Sequence, residues 1–145
     1  MIDGRGFSIR KAIRHNAVTS TRKAAAVVEL AICLPLLLLL VFGGIETSGA
    51  LHLSQTLHAS AYEAVRVAVQ RTSTNAIATT AANRILTGAR VVNGTVRISD
   101  SDVSKVPQGN SITVTVSAPY AGNQMTSTYF FRGKTLTARG TMVKE

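Results

Sequence analysis

The feature that most constrains this chain is an apolar run from Ala24 to Ile45. It reads AAAVVELAICLPLLLLLVFGGI, 22 residues with one charged side chain, Glu29. As a helix the run would rise about 33 Å, enough to cross a hydrocarbon layer of about 30 Å. Pro35 and the two glycines are tolerated in such a helix, because neighbouring helices can cover the defects they leave. The run therefore predicts a membrane-spanning helix over residues 25–45.

Positive charge is concentrated before this run. The chain carries 16 Lys and Arg against seven Asp and Glu, and six of the basic residues precede Ala24 with only Asp3 beside them. No further basic residue occurs until Arg66. This asymmetry predicts a cytoplasmic N-terminus and an exported C-terminal part. We therefore divide the chain into a basic cytoplasmic leader (1–24), a transmembrane helix (25–45) and an exported domain (46–145).

Other classes of protein fit the sequence less well. A cleaved signal peptide is an alternative, with Ser48-Gly49-Ala50 as the cut site, but its apolar stretch would be 7 to 15 residues. A lipoprotein would place a cysteine after the apolar core, whereas Cys33 precedes it. Aromatic residues make up 5% of the chain, with no Trp, and the densest charge lies in a tail. This composition argues against nucleic acid as a partner.

The exported domain begins with helical patterns over residues 46–89. Apolar residues recur at spacings of three and four from Leu53 to Ala68, so the membrane helix should continue outside, from about Ala25 to Arg71. Ser73 or Thr74 can cap a second, shorter helix that stops at Gly88.

Over residues 90–145 the spacing of apolar residues changes from every third or fourth position to every second position. Three segments alternate apolar side chains with Thr, Ser or Arg, and they span Thr95–Ser99, Ser111–Ala118 and Leu136–Val143. Such alternation predicts antiparallel strands with one covered face, which needs an apolar support. The exported part of the long helix, with the second helix beside it, is the nearest candidate. The fold class predicted is α+β, with two helices and a small antiparallel sheet of about three strands.

The sequence offers little chemistry. His52 and His58 are six residues apart, about 240° round a helix, so they cannot clasp one metal ion. Glu63 and Arg66 stand three apart on one helical face and could pair with each other or dock on a partner subunit. A single cysteine excludes an internal disulfide. No set of residues typical of catalysis stands out, so we expect no enzyme, no cofactor and no metal.

Glu29 is the one acidic residue of the apolar run. A carboxylate inside a membrane helix costs about 2.5 to 3.5 kcal/mol on insertion scales, so it usually has a partner or a task. A cut between Ala24 and Ala25 would create an α-amine near this carboxylate. The amine of a neighbouring subunit is the better match and would set the stagger of packed helices. Alternatively, Glu29 lies at the headgroup boundary and costs little.

Three stretches in the first half of the chain follow a known pattern. Arg22–Leu30, followed by a leucine-rich run with Pro35, resembles a class III prepilin cleavage region. Phe42–Glu46 is similar to a Phe-Gly-x-x-Glu exit from the membrane, and Ala59–Arg66 to a segment ending in Glu-Gly-Ala-Arg. Together, over about residues 21–70, these stretches resemble the TadE-like pseudopilins of tight-adherence (Tad/Flp) pilus systems. Departures are Ala24 for the usual Gly before the cut, Leu30 for an aromatic residue, and Ala64 for Gly.

This resemblance implies a minor pseudopilin, a structural component of a tight-adherence pilus with a pilin-like fold. It implies cleavage between Ala24 and Ala25 by a prepilin peptidase in the bacterial cytoplasmic (inner) membrane. The other partners it implies are pilins or pseudopilins, the pilus assembly platform and membrane lipid. An uncleaved single-pass protein whose exported domain binds another envelope component is the alternative. The N-terminal residue of the mature chain would separate the two, Ala25 for the first and Met1 for the second.

Overall fold

A computed structural model describes residues 6–124 and 129–144, with side chains from Lys23 onward. The elements in chain order are α1 (Gly6–Ala68), α2 (Asn75–Gly88), β1 (Thr95–Ile98), a 3-10 turn (Val103–Lys105), β2 (Ser111–Pro119) and β3 (Thr135–Val143). This confirms the α+β class, with one long helix, one short helix and a three-stranded antiparallel sheet. The chain divides into two compact units, one up to Phe42 and one from Gly43 onward.

Helix α1 differs from its predicted bounds at both ends. It begins at Gly6 rather than near Ala25, because residues 7–34 contain neither Gly nor Pro to interrupt a helix. It ends at Ala68 rather than at Arg71. There the N–H of Gln70 donates to the carbonyl oxygen of Val67 at 3.2 Å, which tightens the last turn.

Helix α2 begins where the capping pattern predicted. The side chain of Thr74, at the N-cap, accepts a hydrogen bond from the N–H of Ile77 at 3.4 Å. The buried face of α2 consists of Ala78, Ala82 and Leu86. Gly88 is the last residue of the helix, as expected.

The bounds of the three strands agree with the predicted segments to within one residue at each end. Their order is β1-β2-β3, and Val96, Val116 and Ala138 stand opposite one another across the sheet. One face of β2 is fully covered; it consists of Ile112, Val114, Val116 and Ala118. Thr and Ser alternate with these residues on the other face, so the sheet has one dry side and one polar side.

The covered face of the sheet packs in one core with the two helices, as the pattern required. Within α1 the buried residues from Gly43 onward recur on one side: Ala50, Leu53, Leu57, Ala61, Ala64, Val65 and Ala68. Ser60, also on this side, donates its hydroxyl to the carbonyl oxygen of Ala82 at 3.1 Å and so ties α1 to α2. The small residues of the Ala59–Arg66 segment therefore allow the helix backbone to approach its neighbours closely.

Strand β3 approaches α1 closely at Gly140. A Cβ atom at Gly140 would lie 3.0 Å from the carbonyl oxygen of Ala61 and 3.1 Å from Cγ1 of Val65. A backbone carbonyl cannot move aside as a flexible side chain can. This contact explains the glycine that interrupts the alternation of β3.

We expect Gly140→Ala to destabilise the C-terminal unit by about 1–3 kcal/mol, the usual cost of overpacking a core. Urea unfolding of the full chain in detergent micelles measures the change. Gly88→Ala is the matched control, because nothing lies within 4 Å of a Cβ at that position. It should leave the midpoint unchanged or raise it slightly. Equal midpoints for the two variants would contradict the close contact.

Candidate functional site

The apolar run is solvent-exposed along its entire length up to Phe42. Ile32 is 71% exposed and Leu40 is 67% exposed, which is unusual for large apolar side chains. Within the described residues, this helix is the one that is long and apolar enough to cross a membrane. Its most apolar 18-residue stretch has a mean hydropathy of 2.7, and no residue of that stretch is buried. A helix that is apolar on all sides suits surroundings of lipid or of other apolar helices.

The predicted cleavage residues lie inside α1. Ala24, Ala25 and Glu29 are all exposed. Ala25 and Glu29 stand one helical turn apart and therefore share a side of the helix. The side chains of the basic leader before Lys23 lie outside the described residues. The structure therefore describes no contact between them and Ala24 or Ala25.

Glu46 is the residue that sequence reasoning undervalued. It directly follows the apolar run, yet it is only 3% exposed. Its carboxylate accepts hydrogen bonds from three consecutive backbone N–H groups, at 3.1 Å from Tyr129, 2.9 Å from Phe130 and 2.8 Å from Phe131. One side chain of α1 thus holds the backbone of a segment more than 80 residues later in the chain.

This arrangement favours an ionised Glu46. Burial acts to raise the pKa of the carboxyl group, but the hydrogen bonds from Phe131, Phe130 and Tyr129 outweigh it and lower the pKa below its ordinary value. The carboxylate is a good acceptor for three donors that have no strand or helix partner of their own.

Tyr120 makes a second connection at the same place. Its hydroxyl donates to the backbone carbonyl oxygen of Glu46 at 2.9 Å, and its ring packs against Phe131 with the ring centroids 5.4 Å apart. Gly49, one turn along α1, leaves room for this hydroxyl, which would lie 3.0 Å from a Cβ there. Burial and the charge of Glu46 raise the pKa of Tyr120, so the hydroxyl stays protonated and donates.

We call this arrangement the exit clamp, consisting of Glu46, Gly49, Tyr120 and the segment 129–131. The available sequence signals were the Phe42–Glu46 motif and an acid placed directly after an apolar run. Neither signal could identify backbone donors so distant along the chain.

Glu63 and Arg66 pair within α1. The guanidinium donates from Nε and Nη2 to the two carboxylate oxygens of Glu63, each at 3.0 Å. The hydrogen bond from Arg66 lowers the pKa of Glu63. The Glu63 side chain is 20% exposed and that of Arg66 57% exposed, so the pair faces the surface of the C-terminal unit.

His52 and His58 are both exposed on α1. Among the side chains that the structure describes, no group of three or more His, Cys, Asp or Glu could hold a metal ion. Cys33 is exposed within the apolar run and is not part of any such group.

Comparison with known proteins gives a match that covers most of the candidate site residues described above. Residues 24–66 match the family model described as TadE-like protein. Neither the curated proteins nor the solved structures contain a match to the chain. The matched segment includes Ala24, Glu29, Glu46 and the Glu63–Arg66 pair, whereas α2 and the sheet lie outside it. The resemblance inferred from the sequence is thus confirmed for residues 24–66, which are similar to TadE-like proteins of Tad pilus systems.

Proposed function

We propose that this protein is a minor pseudopilin, a structural subunit of a tight-adherence pilus that a prepilin peptidase matures between Ala24 and Ala25. The observation that supports it best is the apolar helix, exposed from Ala24 to Phe42 and joined to a small compact unit. A helix of this kind can lie in lipid before assembly and pack against other apolar helices afterwards. The family match over residues 24–66 supports an association with Tad pili.

Cleavage has a physical rationale in this sequence. The leader carries six Lys and Arg, and each such charge costs about 2.5 to 3.5 kcal/mol at the centre of a bilayer. An uncleaved leader therefore pins the helix with its basic end in the cytoplasm. Removal of residues 1–24 leaves a single new α-amine. Glu29 of the same or a neighbouring subunit would neutralise that amine.

The signal-peptide alternative conflicts with the exit clamp. A cut after Ala50 would remove Glu46 and Gly49 from the C-terminal unit, and with them the acceptor for three backbone N–H groups. Hydrogen bonds to an ionised acceptor are the strong class, so their loss would weaken the attachment of segment 129–131. The exit clamp thus favours a helix that stays attached to the exported domain.

The second candidate function is an uncleaved single-pass protein whose exported domain binds another envelope component. It shares the proposed topology, with the N-terminus in the cytoplasm, the helix in the bacterial inner membrane and the C-terminal unit exported. In the first proposal the partners are the peptidase, other pilins or pseudopilins and the assembly platform. Cleavage separates the two candidates.

We expect the wild-type chain to lose residues 1–24 when it is expressed together with the prepilin peptidase of its own host, and to keep Met1 without that peptidase. Ala24→Leu should block the conversion, because by resemblance to the family the residue before the cut must be small. Ala31→Leu, deeper in the same helix, is the control and should be cleaved normally. Intact mass spectrometry of the purified chains distinguishes these outcomes. An uncut wild-type chain in the presence of active peptidase would contradict the proposal.

A further inference from the structure

Two aromatic side chains beside the exit clamp are exposed. Tyr129 is 77% exposed and Phe130 is 59% exposed. The backbone that carries them is fixed, since both N–H groups donate to the carboxylate of Glu46. The next residue, Phe131, turns inward and packs on Tyr120. The segment therefore presents two aromatic side chains outward from an anchored backbone.

These aromatic residues lie where the apolar run ends. A Cβ at Gly43 would be 3.4 Å from ring atom Cε2 of Phe130, so the phenyl ring packs on the face of the helix at Gly43. The apolar run ends two residues after Gly43, at Ile45. The side chain of Ile45 is 41% exposed. Phe130 and its neighbour Tyr129 thus lie in the C-terminal unit beside the residues that end the apolar run.

Two basic residues lie close to this aromatic pair in the sequence. Arg132 and Lys134 follow the two aromatic residues and are both exposed. The nearest described carboxylate, Glu46, is buried and occupied by backbone donors. Aromatic side chains are enriched at the boundary between hydrocarbon and water, and basic residues next to it are attracted to anionic lipid phosphates.

We propose that Tyr129 and Phe130 insert into the interfacial layer of the membrane from which α1 emerges, with Arg132 and Lys134 at the lipid phosphates. The exported unit then touches the bilayer at a second point besides its helix. Glu46 holds the backbone that carries the two aromatic side chains. The inference rests on the proposed membrane anchoring and is independent of the proposed role in a pilus.

The test uses tryptophan as a probe, because the chain has none of its own. Phe130→Trp and Tyr129→Trp are reconstituted as full-length chains, one per nanodisc, in anionic phospholipid brominated near the top of the acyl chains. We expect blue-shifted emission and a loss of intensity comparable with that of Leu38→Trp, a probe in the middle of the apolar run. Tyr62→Trp is the matched control. Tyr62 is 59% exposed and 19 residues beyond Gly43, about 28 Å along the helix.

The outcomes separate this inference from the anchoring on which it rests. One result would overturn the membrane contact and leave the anchor intact. In that result the tryptophan at position 38 is quenched, whereas those at 129 and 130 are quenched no more than the one at 62. Absence of quenching at position 38 would mean that the helix does not span, and it would overturn both. Circular dichroism equal to that of wild type shows that each variant keeps its fold.

Discussion

Glu46→Gln will release the segment 129–131 from α1 and make the peptide bond after Arg132 a preferred site for trypsin. In the wild type three backbone N–H groups of this segment donate to the carboxylate. A neutral amide has one acceptor oxygen, and its NH₂ group would face donors instead of accepting from them. Because hydrogen bonds to ionised groups are the strong class, we expect cleavage there to accelerate roughly ten-fold or more.

Trypsin digestion of the full chain in detergent micelles, followed by mass spectrometry, measures this rate. Lys105, whose side chain is 84% exposed and pairs with Asp102 rather than with a residue of the exit clamp, provides an internal reference site. Glu63→Gln is the matched control, since it removes a carboxylate of the same helix that bonds a side chain rather than a backbone segment. Equal rates at Arg132 in all three chains would show that Glu46 does not hold the segment.

The same clamp predicts a pH dependence. The folded-state pKa of Glu46 is lowered, so its contribution to stability is present above the unfolded-state pKa, near 4.5, and is lost as the pH falls through the folded-state value. The difference in urea midpoint between wild type and Glu46→Gln should therefore be largest at neutral pH and shrink in acid. A difference that grows as the pH is lowered would contradict the assignment.

The second large effect concerns Glu29. We expect Glu29→Val to leave membrane insertion intact, because it removes a cost of burial, and to reduce incorporation into pili roughly ten-fold or more, since an ion pair in low dielectric is costly to break. Immunoblots of membrane and sheared pilus fractions measure both quantities. Leu30→Val, an adjacent exposed position in the same run, is the control and should assemble normally. Normal assembly of Glu29→Val would reduce this carboxylate to a headgroup-boundary residue.

The fold could be predicted to a large extent from local patterns. The cap at Thr74, the stop at Gly88 and the three alternating segments each depend on residues that are neighbours in sequence. The support of the sheet by α1 followed from the need to cover one apolar face. The bounds of α1 were less predictable, since the basic segment before Ala24 has no apolar periodicity that would indicate a helix.

The exit clamp could not be predicted, because it joins groups far apart in the chain. The partners of Glu46 are main-chain N–H groups, which every residue except proline possesses and which therefore leave no mark on the sequence. Gly140 was visible only as a break in alternation, whereas its reason is the carbonyl group of Ala61. The cleavage residues Ala24 and Ala25 show the opposite case, since local sequence alone suggested them and the fold adds no contact to them.

The measurement that tests the central claim most directly is the N-terminal sequence and intact mass of this protein in pili purified from its native host. The proposal predicts a chain of residues 25–145 that begins AAVVELAICLP. Such a chain would have lost the basic leader that holds the helix in the membrane. Assembled pili that contain the chain with Met1 and the whole leader would contradict the proposal.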